Sequence, residues 1–325
     1  MTLKMKRIVI VFAVSLLNLT LITPFSYAQT VARFKGNKEA AISYTFDDGL
    51  QEHYTVLRQK LKEHSFPATF AIIGTQVGRD HKGTPIMTWE QLRELKSDGH
   101  EISSHGYEHR NVTKLSPEEL RHELQANDSL IHDSLGVWPR TFIYPGNRRS
   151  PETIAICEQG RVGSRTSLIS LGGKTAGKGE AWLRQWVDSL IAKGQWAVTM
   201  THGISYGYDC FPDPDILWRH FNYVDSLSAK IWVGTFADVS AYVKERRDLN
   251  LKVDTLKNGT IEVTPSLNLN RNLFNIPLTL VIHSDKNIKV SQDGKPLPVE
   301  TNDNMQTFDF NPHGGKITIK ISAQK

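Results

Sequence analysis

Two adjacent carboxylates, Asp47 and Asp48, close the apolar run that ends in Thr45-Phe46-Asp47-Asp48-Gly49. Within a regular strand the two would point to opposite faces, but at a strand end followed by glycine the backbone can turn and bring both to one place. Together in a dry pocket they would repel, and a bound divalent cation removes that conflict by stabilising both anions. One can then ligate metal while the other handles a proton of water. Ser104-His105-Gly106-Tyr107-Glu108-His109 supplies the matching partners: histidines four apart meet on one side of a helical turn, and imidazole is a favoured ligand of zinc and its neighbours. His202, in Met200-Thr201-His202, is a third candidate, because an unperturbed histidine titrates at about pH 6.5 and a modest shift would let it protonate a leaving group at neutral pH. Tyr144-Pro145-Gly146-Asn147 is a rigid turn that can aim a backbone N–H at a developing oxyanion. Each feature alone has an ordinary structural reading, as a surface turn, a core histidine or a loop. His100 is read as a packing or hydrogen-bonding histidine.

The elements that must position these groups follow from the hydrophobic pattern. Short apolar runs at 40–46, 68–73, 101–103, 141–144, 162–167, 196–201 and 231–236 read as strands. Amphipathic stretches at 51–64, 88–97, 116–135, 180–192, 214–230 and 238–247 read as the helices between them. Repeated strand-then-helix order implies parallel strands, and about seven of them imply an α/β fold of the barrel type. All four chemical features then lie at or just after the C-terminal end of a strand, the rim where parallel barrels gather their active sites. Two carboxylates, two ligating histidines and a third histidine on one rim describe a metal-assisted hydrolase.

These residues resemble the polysaccharide deacetylase family, also called carbohydrate esterase family four. The resemblance rests on Thr-Phe-Asp-Asp-Gly at 45–49, Ser-His-x-x-x-His at 104–109 and Met-x-His at 200–202, and covers about 38–248. It implies a distorted (β/α) barrel of about seven parallel strands and one divalent ion, zinc first with cobalt or nickel as alternatives, on Asp48, His105 and His109. It also implies Asp47 as general base, His202 as general acid and the Gly146 N–H as oxyanion donor, with Tyr144 and Pro145 in the same turn. Two positions depart from the family pattern. Ile143 stands where the family commonly has an arginine that orients the base, leaving Arg140, Arg148 or Arg165 to substitute. The family's Asp-with-Trp motif has no clean counterpart; Trp186 and Asp188 lie in a plausible region, where Trp186 and Met200 would wall an acetyl pocket. The implied activity is removal of N-acetyl groups from an acetylated polysaccharide or oligosaccharide. The alternatives are an O-acetyl esterase of the acetylxylan type and a non-catalytic carbohydrate-binding protein.

The rest of the 325-residue chain sets the context. Lys4, Lys6 and Arg7, the apolar run that follows, and small residues at Ser26 and Ala28 read as an export signal spanning 1–28, so the expected destination is the periplasm or the medium. Its removal takes three positive charges and lowers the net charge from +5 to +2, too mild a balance for nucleic-acid binding. No later apolar run is long enough to span a bilayer. The catalytic domain is expected over 29–248. From 249 to 325 apolar residues alternate and Asn258-Gly259, Asp293-Gly294 and Gly314-Gly315 supply turns, the pattern of a small all-β, sandwich-like domain. That region has no Trp or Tyr to stack on sugars, which favours a structural role. Cys157 and Cys210 are equally readable as a disulfide or as two thiols, and oligomeric state leaves no sequence signal.

Overall fold

The computed structural model describes residues 29–81, 83–173 and 178–321; the expected export signal lies outside them. Each of the seven expected positions carries a strand. The strand that ends at the two carboxylates is broken into Ala40–Ser43 and Thr45–Phe46, and the halves serve different neighbours. The first half pairs in parallel with Trp196–Met200 on one side and Ile231–Val233 on the other. The second half pairs with Thr69–Ile72, which continues through Glu101–Ser104 and Thr141–Phe142 to Gly163–Ser164, all parallel. A parallel bridge between Phe46 and Thr201 joins the two segments into one curled sheet. The fold is therefore the expected distorted α/β barrel. Ala40–Ser43 and Thr69–Ile72 are buried at every position, because helices cover one face of the sheet and the barrel interior the other.

The run at 162–167 departs from expectation. It forms only Gly163–Ser164 and then, after a gap, Ile169–Ser170, which pairs with Trp196–Met200. Among the described residues no ladder joins the two pieces, so the wall is open there. Arg165 keeps one bond to the neighbouring strand, its N–H to the Phe142 carbonyl at 3.0 Å, and its side chain crosses into the barrel to Asp47.

Helix boundaries follow local chemistry. Pro117–Leu135 starts at a capping box in which Glu119 N–H donates to Ser116 Oγ at 3.2 Å and Ser116 N–H to Glu119 Oε2 at 2.8 Å. It stops at Gly136 in the left-handed region. Thr88 and Gln91 form the same box ahead of Trp89–Ser97. A short helix, Pro151–Cys157, capped by Ser150, is an addition to the expected set. The helix expected at 51–64 opens with a π-helical turn, His53–Leu57, before the α-helical Arg58–Glu63. Such turns carry one extra residue, and this one buries Glu52 and His53 together.

The C-terminal strands build two antiparallel sheets face to face. One contains Asn250–Thr255, Ile261–Ser266, Ile317–Ile321, Ile288–Gln292 and Lys295–Leu297; the other contains Leu278–His283, Met305–Phe310 and Glu300–Asn302. Asp293 and Gly294, both at positive φ, make the tight hairpin that two-residue connections favour. Val263, Leu280, Val290, Phe308, Phe310 and Ile319 fill the space between the sheets. Gln29–Val31 joins this sandwich by pairing antiparallel with Leu278–His283.

The seam with the barrel is built from Phe236–Asp248. Tyr242 of that helix packs into the sandwich core and donates its hydroxyl to the Ala32 carbonyl at 3.0 Å. The buried Glu245 accepts from Ile276 N–H at 3.1 Å. Arg140 reaches Asp238 at 3.0 Å and the Leu273 carbonyl at 3.0 Å. Both cysteines are free thiols, Cys157 buried and Cys210 partly exposed.

Candidate active site

Asp48 adopts φ +70°, a conformation that aspartate tolerates better than most side chains, and Gly49 follows at +73°. This turn brings both carboxylates to one rim. Asp48 Oδ1 lies 3.2 Å from His105 Nε2 and 3.6 Å from His109 Nε2, and the three candidate ligand atoms fall within 4.8 Å of one another. The two imidazoles do not meet on a helical turn as their spacing suggested. The segment 105–109 is a loop, with Gly106 at φ +83° and His109 at +60°, that folds the rings to a centroid separation of 4.8 Å. His105 Nδ1 donates to the Ile143 carbonyl at 2.8 Å, which leaves the Nε2 lone pair facing Asp48. His100 is a packing histidine: its Nδ1 accepts from Ala68 N–H at 3.1 Å and its ring meets Phe70 edge-on.

Asp48 Oδ1 is buried and has no hydrogen-bond partner. An orphaned carboxylate oxygen facing two imidazole nitrogens is costly unless something positive sits between them. One carboxylate and two imidazoles form a donor set that suits zinc and neighbouring divalent ions, and three protein ligands leave a position open. Burial would raise the Asp48 carboxyl, but the positive charge of a protonated His105 outweighs it and holds the group well below the usual range. Burial would lower His105, and Asp48 and Asp47 raise it instead, so the site favours a positive charge at this place, which a bound cation would supply in the proton's stead. Burial, reinforced by His105, lowers His109 to about 4, so its ring is neutral and able to ligate near pH 7.

Asp47 faces a different partner. Arg165 grips it bidentately, Nη1 to Oδ1 at 2.7 Å and Nη2 to Oδ2 at 2.6 Å, and also donates to Thr45 Oγ1 at 2.6 Å and Asn147 Oδ1 at 3.1 Å. Both members of the pair are buried, at 1% and 2% exposure. Burial alone would raise the Asp47 carboxyl; the guanidinium overrides it and holds Asp47 below the usual range. Of the three arginines left open by Ile143, Arg165 reaches Asp47, whereas Arg140 is committed to the sandwich seam. Ile143 instead packs inside the barrel with Ala71, Val198 and Phe236.

His202 sits with Nε2 3.7 Å from Asp48 Oδ2 and Nδ1 3.3 Å from Asp209 Oδ2. Its carbonyl accepts from His53 Nε2 at 2.7 Å, which ties the end of its strand to the π-helical turn. Tyr208 donates its hydroxyl to Asp48 Oδ2 at 2.5 Å. Tyr208, Asp209, Glu52 and His53 carry no recognisable sequence signal, because Tyr208, Glu52 and His53 act on partners about 150 to 160 positions away and Asp209 acts from an irregular loop.

The remaining expected residues divide. Gly146, at φ +57°, and Pro145 form the turn beside Asn147, whose Nδ2 donates to Met200 Sδ at 3.4 Å; Met200 therefore borders the Arg165 network. The Tyr144 side chain does not reach the site. It is fully buried among Val112, Leu124, Phe142 and Cys157, and donates to Ser164 Oγ at 2.8 Å. Trp186 is buried between Trp182 and His220 and lines a cavity of about 590 Å³ at the open part of the wall, with Val198 and Phe236. Asp48 and His109 open instead into a separate cavity of about 730 Å³, so Trp186 is not brought to it. Asp188 accepts from Tyr223 at the surface.

Residues 35–161 match the polysaccharide deacetylase family. A gellan lyase from a Bacillus species is 24% identical over 83% of this chain and 12% of its own length. A peptidoglycan-N-acetylglucosamine deacetylase from Bacillus cereus is 31% identical over 38% of this chain and 42% of its own. The chain thus spans less than half the length of these relatives. The crystal structure of a candidate polysaccharide deacetylase from Mycobacterium smegmatis superimposes with a TM-score of 0.52 at 16% identity, over 67% of this chain and 94% of that one, and shares the fold. The matched segment contains Asp47, Asp48, His105, His109 and the Pro145-Gly146 turn, and it is this part of the chain that is similar to the polysaccharide deacetylase family.

Proposed function

We propose that this protein is a metal-dependent hydrolase that removes N-acetyl groups from an acetylated polysaccharide or oligosaccharide. The observation that carries the reading is the buried, unpartnered Asp48 Oδ1 beside the Nε2 atoms of His105 and His109. Asp48, His105 and His109 would hold one divalent ion, zinc before cobalt or nickel. Such an ion polarises an acetyl carbonyl and brings the pKa of a water from 15.7 towards about 7. Asp47 takes the proton of the attacking water; its bidentate salt bridge keeps it anionic and aimed, at the cost of some basicity. The backbone N–H of Gly146 receives the developing oxyanion. His202, held by Asp209, returns a proton to the departing sugar nitrogen. An amine needs that proton more than an alcohol does, so His202 is the residue that most separates amide from ester substrates.

The similarity to a peptidoglycan-N-acetylglucosamine deacetylase supports the N-acetyl reading over the O-acetyl one. Residues 29–248 would form the catalytic domain and 249–325 the accessory β domain, with Gln29–Val31 contributed to the latter's sheet. We place the mature protein outside the cytoplasmic membrane, on the strength of the sequence at 1–28; no helix among the described residues is long and apolar enough to cross a membrane. The deciding assay is acetate release from N-acetylglucosamine oligomers and from acetylated xylan, using metal-stripped protein with and without zinc, cobalt or nickel. Metal-restored release from the oligomers is expected. Release from xylan alone would make it an esterase, and none from either would remove the hydrolase reading.

A further inference from the structure

The cavity in front of Asp48 and His109 is bounded on one side by Tyr206, one of the few large apolar side chains left substantially exposed, at 41%. A lone exposed tyrosine is ordinary on a protein surface. What sets this one apart is how its backbone is held. Glu52, with no solvent exposure, accepts N–H bonds from Ile204 at 2.6 Å, Ser205 at 2.7 Å and Tyr206 at 3.2 Å. Burying a carboxylate is expensive, and here all three of these bonds go to fixing one loop. Two further bonds close that loop, Gly203 N–H to the Tyr208 carbonyl at 3.0 Å and Phe211 N–H to the Ile204 carbonyl at 3.1 Å. The turn is tight enough that a Cβ on Gly203 would lie 2.6 Å from the Tyr206 carbonyl oxygen.

A pre-ordered aromatic ring beside a metal-ligand cluster offers contact area at little entropic cost. Pyranose rings present an apolar face of C–H groups, ringed by hydroxyls that need polar partners. Gln76 and His81 line the same cavity, and Gln76 Oε1 has no hydrogen-bond partner in the protein. We propose that Tyr206 is the platform on which a sugar ring next to the acetylated one stacks, and that Glu52 is the positioning residue that holds the platform beside the metal ligands. This rests on the deacetylase reading and adds that recognition extends beyond one sugar.

The test is calorimetric titration of the full mature chain, made inactive by Asp47→Asn, with a tetramer of N-acetylglucosamine, with and without Tyr206→Ala, Tyr206→Phe or Glu52→Gln. Removing the ring is expected to weaken binding on the order of tenfold, while the phenylalanine, which keeps the ring, stays within about twofold. Glu52→Gln, titrated at saturating zinc because the loop it loosens also carries Tyr208 against Asp48, is expected to weaken tetramer binding while circular dichroism holds. Equal affinity with and without the Tyr206 ring overturns the platform, and so does a parent that binds no tetramer. In either case acetate release by the wild-type chain still judges the deacetylase reading separately.

Discussion

Replacing Arg165 by methionine tests whether one buried guanidinium is what keeps Asp47 a carboxylate. The side chains touch through two N–H···O contacts of 2.6 and 2.7 Å, which puts the charge centres about 4 Å apart. At an effective dielectric of about 20 that separation corresponds to about 4 kcal/mol. Neither group is exposed enough for solvent to screen the pair appreciably. Removing one member of such a pair strands the other as an uncompensated buried charge, which typically costs about 3–5 kcal/mol. Arg165→Met should therefore lose about 3–4 kcal/mol in urea denaturation, and Asp47 should escape the penalty by taking up a proton. A protonated Asp47 cannot accept one from water, so acetate release should fall by about a hundredfold or more. The double variant Asp47→Asn, Arg165→Met should be more stable than Arg165→Met alone, because no lone charge remains. Arg165→Lys keeps the charge but not the fork and should fall between. A methionine variant within about 1 kcal/mol of wild type would refute the argument.

Glu245 offers a pH test away from the site. Burial pushes its pKa up to about 7, against an ordinary value of 4.5. Between these values the folded protein binds a proton that the unfolded chain has released, so this group's contribution to stability is most favourable at low pH and is lost as pH rises towards 7. Glu245→Gln removes this dependence, and its stability relative to wild type should rise by about 2 kcal/mol between pH 5 and pH 8; an equal difference at both would dismiss the idea. Tyr208→Phe deletes the hydroxyl that orients Asp48 and should weaken zinc affinity about tenfold in a chelator competition, with unchanged affinity the contrary result. Alkylation of the unfolded, unreduced protein should label both Cys157 and Cys210, whereas a mass consistent with a bridge would contradict the free thiols.

The parts legible in the sequence were those whose physics is local. Strand ends marked by Asp-Asp-Gly and by Ser-His, and helix starts such as Ser116-Pro117-Glu118-Glu119, announce themselves within a few residues. The convergence of Asp48, His105 and His109 was legible from strand order, but its local means was not: positive φ at Gly106 and His109, rather than a helical turn, brings the rings together. The choice among Arg140, Arg148 and Arg165 depended on where the 162–167 run stops pairing, which alternation cannot reveal. Trp186 and Tyr144 were misplaced for a related reason. An aromatic residue at a strand end or on an amphipathic helix is suited equally to a pocket and to the packing that surrounds it, and here packing claimed both. Tyr208 and Glu52 act across about 150 residues and could emerge only in three dimensions.

The ladder between Gln29–Val31 and Leu278–His283 ties together segments separated by about 250 residues. During synthesis the first of these emerges long before its partner exists, so that edge of the sandwich cannot close until Leu278–His283 has been made. Contacts this remote slow folding, and they leave a strand waiting with unpaired backbone groups. Of the pairings in the sandwich, this one closes the longest intervening stretch of chain, with the whole barrel threaded between its two strands.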